Sequence, residues 1–268
     1  MQEHLSMSVK PEILITGASS GIGAVYADRF ARRGHDLVLV ARDRPRMEQL
    51  AERLRREAGV RVDVLQADLT NAQDLEQIEQ RLREDRDIGV LVNNAGALAN
   101  GDFLAQNGND LRGMIALNVI ALTCLANAIA PRLVAEGKGC IVNIGSVVGL
   151  APEIGLAVYG ATKAFVLFLS QGLNRELGPK GVYVQAVLPS VTGTEIWERS
   201  GRDVNALPAA MAAGELVDAA LVGFDRREAV TIPPLPDADQ WSALQAARQA
   251  MLPNLMQSHA AERYRSAA

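Results

Sequence analysis

Residues Glu12-Ile13-Leu14-Ile15-Thr16-Gly17-Ala18-Ser19-Ser20-Gly21-Ile22-Gly23 decide the fold of this chain. A short apolar run ends at a glycine, the pattern of a strand buried on both faces of a parallel sheet. A helical pattern comes next, runs to Arg33 and stops at Gly34. Between the two, Gly17, Gly21 and Gly23 keep a G-x-x-x-G-x-G spacing. Placed there, they let backbone amides at a helix N-terminus approach a pyrophosphate. Glycines also serve ordinary tight turns, so the loop draws its meaning from the elements around it.

Those elements alternate. Asp36 to Ala41 reads as a second strand, with a charged helix from Arg44 to Ala58 behind it. Val60 to Gln66, Ile88 to Asn93, Cys140 to Ile144 and Val182 to Leu188 read as further strands. Helical patterns separate them at Asn71 to Asp85, Asp110 to Glu136 and Val158 to Leu177, and Asn71 is a candidate cap. Glu215 to Asp225 and Ala229 to Ile232 read as a last helix and strand. Strands alternating with helices require crossovers, hence an α/β fold: a single doubly wound parallel sheet of Rossmann type with helices on both faces. Residues 1–10 form a polar leader, 11–236 the domain, and 237–268 a helical C-terminal extension after Pro233-Pro234-Leu235-Pro236. The extension carries helical patterns at Asp237 to Met251 and Asn254 to Tyr264.

Composition narrows the function classes. The chain has 268 residues, of which 49% are hydrophobic but only 4% aromatic, so aliphatic side chains must fill the core. A net charge of −4 gives no footprint for nucleic acid or an anionic membrane. The leader lacks an apolar signal-peptide core, and no run of 18 apolar residues suggests a membrane span. Cys124 and Cys140 form neither a disulfide framework nor a metal cluster, and no metal is expected. The expected location is the cytoplasm.

Two features carry chemistry. In Tyr159-Gly160-Ala161-Thr162-Lys163, a phenol and an ammonium four residues apart share one helical face. A free tyrosine, with a pKa of about 10, gives up its proton reluctantly, and a nearby Lys⁺ favours the phenolate. The pair is a candidate proton donor and acceptor. The other feature is Arg42, which lies just past the second strand, where dinucleotide folds usually place an acid on the adenosine ribose. A guanidinium there pairs with a 2′-phosphate instead, which points to NADP(H) rather than NAD(H).

These residues resemble the short-chain dehydrogenase/reductase family over about residues 11 to 195. Thr16-Gly17-Ala18-Ser19-Ser20-Gly21-Ile22-Gly23 is similar to its glycine loop, Asp68-Leu69 to its adenine-side acid, and Asn93-Asn94-Ala95-Gly96 to its N-N-A-G segment. Asn118, Ser146, Tyr159 and Lys163 match its catalytic tetrad. Pro189-Ser190-Val191-Thr192-Gly193-Thr194 resembles its P-G-x-x-x-T segment, with serine in place of glycine. The resemblance implies that Tyr159 is the general acid/base and that Ser146 holds the carbonyl oxygen. Lys163 would lower the Tyr159 pKa and bind the nicotinamide ribose, and Asn118 would anchor a relaying water. Gly17, Ser19, Ser20, Gly21, Ile22, Gly23, Arg42, Asp68, Leu69, Asn94, Ala95, Gly96, Pro189, Val191, Thr192 and Thr194 would join Tyr159 and Lys163 around the cofactor. It also implies a homodimer or homotetramer.

Substrate choice should lie in Ala97 to Phe103, Leu150 to Leu156 and an apolar lid at 195–213. These segments hold no basic cluster, so a neutral, fairly hydrophobic ketone or alcohol fits best. The alternatives are an epimerase or dehydratase of the family's extended branch, against which the glycine spacing speaks, and an NADP(H)-binding sensor or scaffold without turnover.

Overall fold

The computed structural model describes residues 10–99, 101, 103–195 and 210–265, so nearly all of the expected leader lies outside the described residues. The chain divides into two compact units, Met1–Pro233 and Pro234–Ala268. In the first, seven strands pair in parallel: β1 (Glu12–Thr16), β2 (Leu37–Ala41), β3 (Val62–Gln66), β4 (Ile88–Asn93), β5 (Cys140–Ile144), β6 (Tyr183–Val187) and β7 (Val230–Thr231). Their order is β3-β2-β1-β4-β5-β6-β7, so the chain reverses direction across the sheet between β1 and β4. That switch point is where open α/β sheets leave a crevice beyond the C-terminal strand ends.

The helices are α1 (Gly21–Arg32), α2 (Arg44–Ala58), α3 (Ala72–Glu84), α4 (Gly108–Glu136), α5 (Ala157–Leu177) and α6 (Ala213–Asp225). Because side chains alternate along a strand, each apolar run feeds two cores. Ile13, Ile15, Leu37, Leu39 and Val92 face α1, α2 and α6, against Phe30, Met47, Leu54 and Val217. Leu14, Val38, Val40, Leu91 and Ile141 face the other way, against Ile78, Leu82, Leu125 and Ile129 of α3 and α4. Ion pairs lace the outer side of the first core. Asp28 on α1 accepts hydrogen bonds from Arg29, Arg32 and Arg53, each at 2.9 Å. Arg29 also reaches Asp218 on α6 at 2.6 Å.

α4 begins at Gly108, earlier than the sequence pattern suggests, because Asn107 caps it and accepts from the amides of Asn109 and Asp110 at 3.0 Å each. Residues Ala116–Ala121 form a π-helical turn inside it. The helix is long and apolar enough to cross a membrane, with a mean hydropathy of 1.9 over its best 18-residue window. Here Leu122, Leu125, Ala126, Ile129 and Leu133 bury one side of it in the domain core.

The second unit holds α7 (Ala238–Leu255), capped by Asp237, which runs through Pro253. The expected second helix at Asn254 to Tyr264 is absent: only a 3₁₀ turn, Glu262–Tyr264, is formed. Neither element buries a residue.

Candidate active site

The crevice is a cavity of about 1070 Å³ at the C-terminal ends of the strands. Its first wall is the glycine loop. Gly17 has φ 65, and a side chain there would strike Asn94 Nδ2 at 2.8 Å. Gly23 lies under the loop, where a Cβ would come within 2.4 Å of the Gly17 carbonyl. Thr16 and Asn94 pin this approach. The Thr16 hydroxyl accepts from the amides of Asn94 and Ala95 at 3.0 Å each, and Asn94 Nδ2 donates to the Thr16 carbonyl at 2.9 Å.

Above the loop, α1 starts without a side-chain cap and without an acidic residue in its first turn. α3, by contrast, is capped by Asn71 and has Asp74 in its first turn. The leading amides of α1 therefore remain for an anion. Thr194 lies against this end, since a Cβ on Gly21 would meet its Cγ2 at 3.0 Å. These features fit a bound dinucleotide: the loop admits a pyrophosphate and the helix end favours its charge. At the far rim, Arg42 is 70% exposed, its Nη1 3.9 Å from Asp68. Asp68 itself accepts from Thr70 Oγ1 at 2.7 Å.

The opposite wall carries Ser146, Tyr159 and Lys163. Ser146 comes just after β5, with its hydroxyl 3.3 Å from the Pro189 carbonyl, to which it donates. Tyr159 and Lys163 stand on α5, with Lys163 Nζ 5.6 Å from the phenol ring centre. Lys163 is buried and donates to the Ile144 carbonyl at 2.9 Å. Burial lowers its pKa to about 8. Burial also pushes Tyr159 up to about 12, against the pull of its hydrogen bond with Ser146. Of these two effects on the phenol, burial is the larger.

Every expected cofactor residue lines the cavity except Gly23, which supports the loop from below. Asn118 does not line it either. It is buried on the π turn of α4, accepts from the Ala97 amide at 2.8 Å, and donates to the Ala97 carbonyl at 2.9 Å and to Thr162 Oγ1 at 3.1 Å. A Cβ on Gly96 would stand 3.4 Å from Asn118 Oδ1 and 3.6 Å from Lys163 Nζ, so only Gly96 separates the two. The segment after Pro189 is held by Met211, whose amide donates to the Val191 carbonyl at 2.9 Å and whose carbonyl accepts from Gly193 at 3.0 Å. Of the expected lid, residues 196–209 lie outside the described residues.

Sequence reasoning missed several supports. Asn143 Oδ1 accepts from Asn93 Nδ2 at 3.0 Å, and its own amide donates to Ser170 at 2.9 Å, tying β4, β5 and α5 together under the site. Gly149 lets the turn at Val147–Gly149 lie on α5, since a Cβ there would sit 2.6 Å from the Ala164 amide. Met114, Leu117, Val147 and Val148 line the cavity beside the expected Leu98, Ala99 and Ile154. Only the proximity of Val147 and Val148 to Ser146 could have signalled them. Phe103 and Leu104 are exposed and do not line it.

The fold and this crevice define a nucleotide-binding α/β protein of the doubly wound class. The chain belongs to the short-chain dehydrogenase family, whose model matches residues 11–205, and it is an oxidoreductase. Among solved structures it is similar to a short-chain dehydrogenase from Sphingobium yanoikuyae in complex with NADPH. That likeness has 64% identity and a TM-score of 0.94, and covers 95% of this chain and 100% of the other. It is also similar to the bulky-bulky ketone specific alcohol dehydrogenase from Comamonas testosteroni, at 60% identity and a TM-score of 0.90, over 96% and 99% of the two chains. The very-long-chain 3-oxoacyl-CoA reductase-B of Danio rerio is 34% identical over 187 residues, 68% of this chain. The match spans 60% of that relative's own length.

Proposed function

We propose that this chain is an NADP(H)-dependent carbonyl reductase or alcohol dehydrogenase acting on a neutral, fairly hydrophobic ketone or alcohol. One observation carries the reading: Ser146, Tyr159 and Lys163 share a cavity with the uncapped start of α1 and with Arg42. A bound nicotinamide supplies or accepts the hydride. Tyr159 gives its phenol proton to the carbonyl oxygen in reduction and takes it back in oxidation. Ser146 donates a hydrogen bond to that oxygen as charge develops on it. Lys163 supplies positive charge beside Tyr159 and a donor for ribose hydroxyls. Asn118 holds the Ala97 backbone and keeps an Oδ1 lone pair for a water leading to Lys163. Arg42 pairs with the 2′-phosphate.

The Sphingobium neighbour's NADPH supports the cofactor, and the name of the Comamonas neighbour supports a ketone with bulky groups on both sides. Leu98, Ala99, Met114, Leu117 and Ile154 give the cavity an apolar wall suited to such a substrate. The enzyme works in the cytoplasm as a homo-oligomer through α4 and α5. Ile120, Phe165 and Phe168 on these helices are 51%, 39% and 78% exposed, and an apolar helix face needs a partner. Residues 11–236 form the catalytic domain and 237–268 an extension to it.

Loss of NADPH absorbance on mixing with a panel of bulky aryl ketones, small ketones and aldehydes tests the reading. Turnover of the bulky ketones is expected. NADPH binding with no turnover on any carbonyl would leave a sensor or scaffold instead.

A further inference from the structure

Arg46 and Glu195 meet across the cofactor crevice. Arg46 lies in the first turn of α2, and its Nη1 stands 2.7 Å from both carboxylate oxygens of Glu195. Its position is set from below by Asp43, which accepts from the Arg46 amide at 3.1 Å and lies 3.3 Å from its Nε. The two partners come from opposite sides of the switch point. α2 succeeds β2 in the chain, whereas Glu195 succeeds β6, and β1, β4 and β5 lie between those strands. At about 4.8 Å per strand the sheet separates their origins by roughly 19 Å. The Arg46–Glu195 ion pair joins the two sides. Both anchors are cavity walls: Asp43 lines one side, Thr194 and Glu195 the other, with Gly21 and Ile22 between.

We propose that the Arg46–Glu195 pair is a clasp across the dinucleotide crevice that slows release of the bound cofactor. The inference rests on the NADP(H) reading above. A dinucleotide lying along the loop at Gly21 must leave under or past this pair, so departure requires it to open. Arg46 also sets a positive charge against a carboxylate on a wall built to receive phosphates. Arg46 and Glu195 are positioning residues here and touch no reacting atom. Their side chains are 48% and 36% exposed, so the pair is screened by salt and its effect is modest.

The test is the rate of NADPH release from the full-length protein, read by stopped-flow as loss of NADPH fluorescence into excess unlabelled NADP⁺. Glu195→Gln and Arg46→Gln are each expected to release NADPH about three- to five-fold faster. The double variant should release it no faster than the quicker single variant, because either change opens the same clasp. Release from the wild type should quicken with added salt more steeply than release from Glu195→Gln. Equal release rates in all four proteins, or slower release from Glu195→Gln, would overturn the clasp and leave the cofactor reading intact. Strictly multiplying single effects in the double variant would also overturn it. A wild type that binds no NADPH would overturn both.

Discussion

Lys163 and Asp28 are buried to nearly the same degree, at 6% and 7% exposure, yet the protein treats their charges in opposite ways. Asp28 is given three arginines. Burial alone would raise its pKa, but hydrogen bonds from Arg32, Arg53 and Arg29 win and hold it at about 2. Lys163 has a backbone carbonyl, and burial brings it down to about 8. The same contrast sets Tyr159, pushed up by burial, against the outer arginines of α1 and α2, which are matched to carboxylates. A charge neutralised in place holds elements together. Burial without a counter-ion brings Lys163 towards the pH where its proton can change hands, whereas it keeps Tyr159 protonated.

The most severe break of this contrast is Tyr159→Phe. If Tyr159 is the proton carrier, kcat should fall by at least about 100-fold while NADPH still binds, since a positioned acid is worth roughly 10²–10⁴-fold. Near-normal turnover would show that burial of Tyr159 is only packing. Next comes Arg42→Asp, which turns an exposed cation into a repelling anion. The ratio of kcat/KM for NADPH over NADH should fall by about 10- to 100-fold, the worth of a charge-assisted contact. An unchanged ratio would return Arg42 to the solvated surface.

On the structural side, Asp28→Asn should cost about 2 kcal/mol at neutral pH. The sign comes from the folded pKa lying below the unfolded one. The contribution is whole above about pH 4 and fades as pH falls through about 2. Thermal melting at neutral pH should therefore separate variant from wild type, with the gap closing in acid, and kcat should be unchanged. The smallest effect sharpens the comparison from the other direction. Glu12 is a buried carboxyl whose pKa is raised to about 7 by burial and by Asp85, with Arg81 at 3.8 Å too distant to compensate. Its folded pKa lies above the unfolded one, so the stability it leaves intact in acid is lost as pH rises through about 7. Glu12→Gln should melt higher than the wild type at mildly alkaline pH, with the difference shrinking below neutrality.

The fold was legible because its signals are local. Apolar runs such as Val38 to Val40, glycines after strands and caps such as Asn71 each sit inside a few residues of sequence. The Tyr159–Lys163 pair was legible for the same reason, since both residues share one helix. Pairing at long range escaped. The Asn143–Ser170 bond and the fit of Gly149 against α5 exist only after the sheet is assembled. The burial around Tyr159 escaped too, because sequence spacing shows the neighbouring charge but not the dryness around the ring. The tail pattern at Asn254 to Tyr264 misled in the reverse sense: helical periodicity promised a helix where only the 3₁₀ turn Glu262–Tyr264 forms.

The π turn at Ala116–Ala121 works as a phase shifter. A single residue carries an α-helix through about 100°, and a wide turn accommodates one extra residue without breaking the rod. The front of α4 can thus aim Met114 at the cavity while its rear aims Leu125 and Ile129 at the sheet. The two halves are geared to different masters. Substitutions ahead of the turn can reshape the cavity wall while the core seam behind it stays in register.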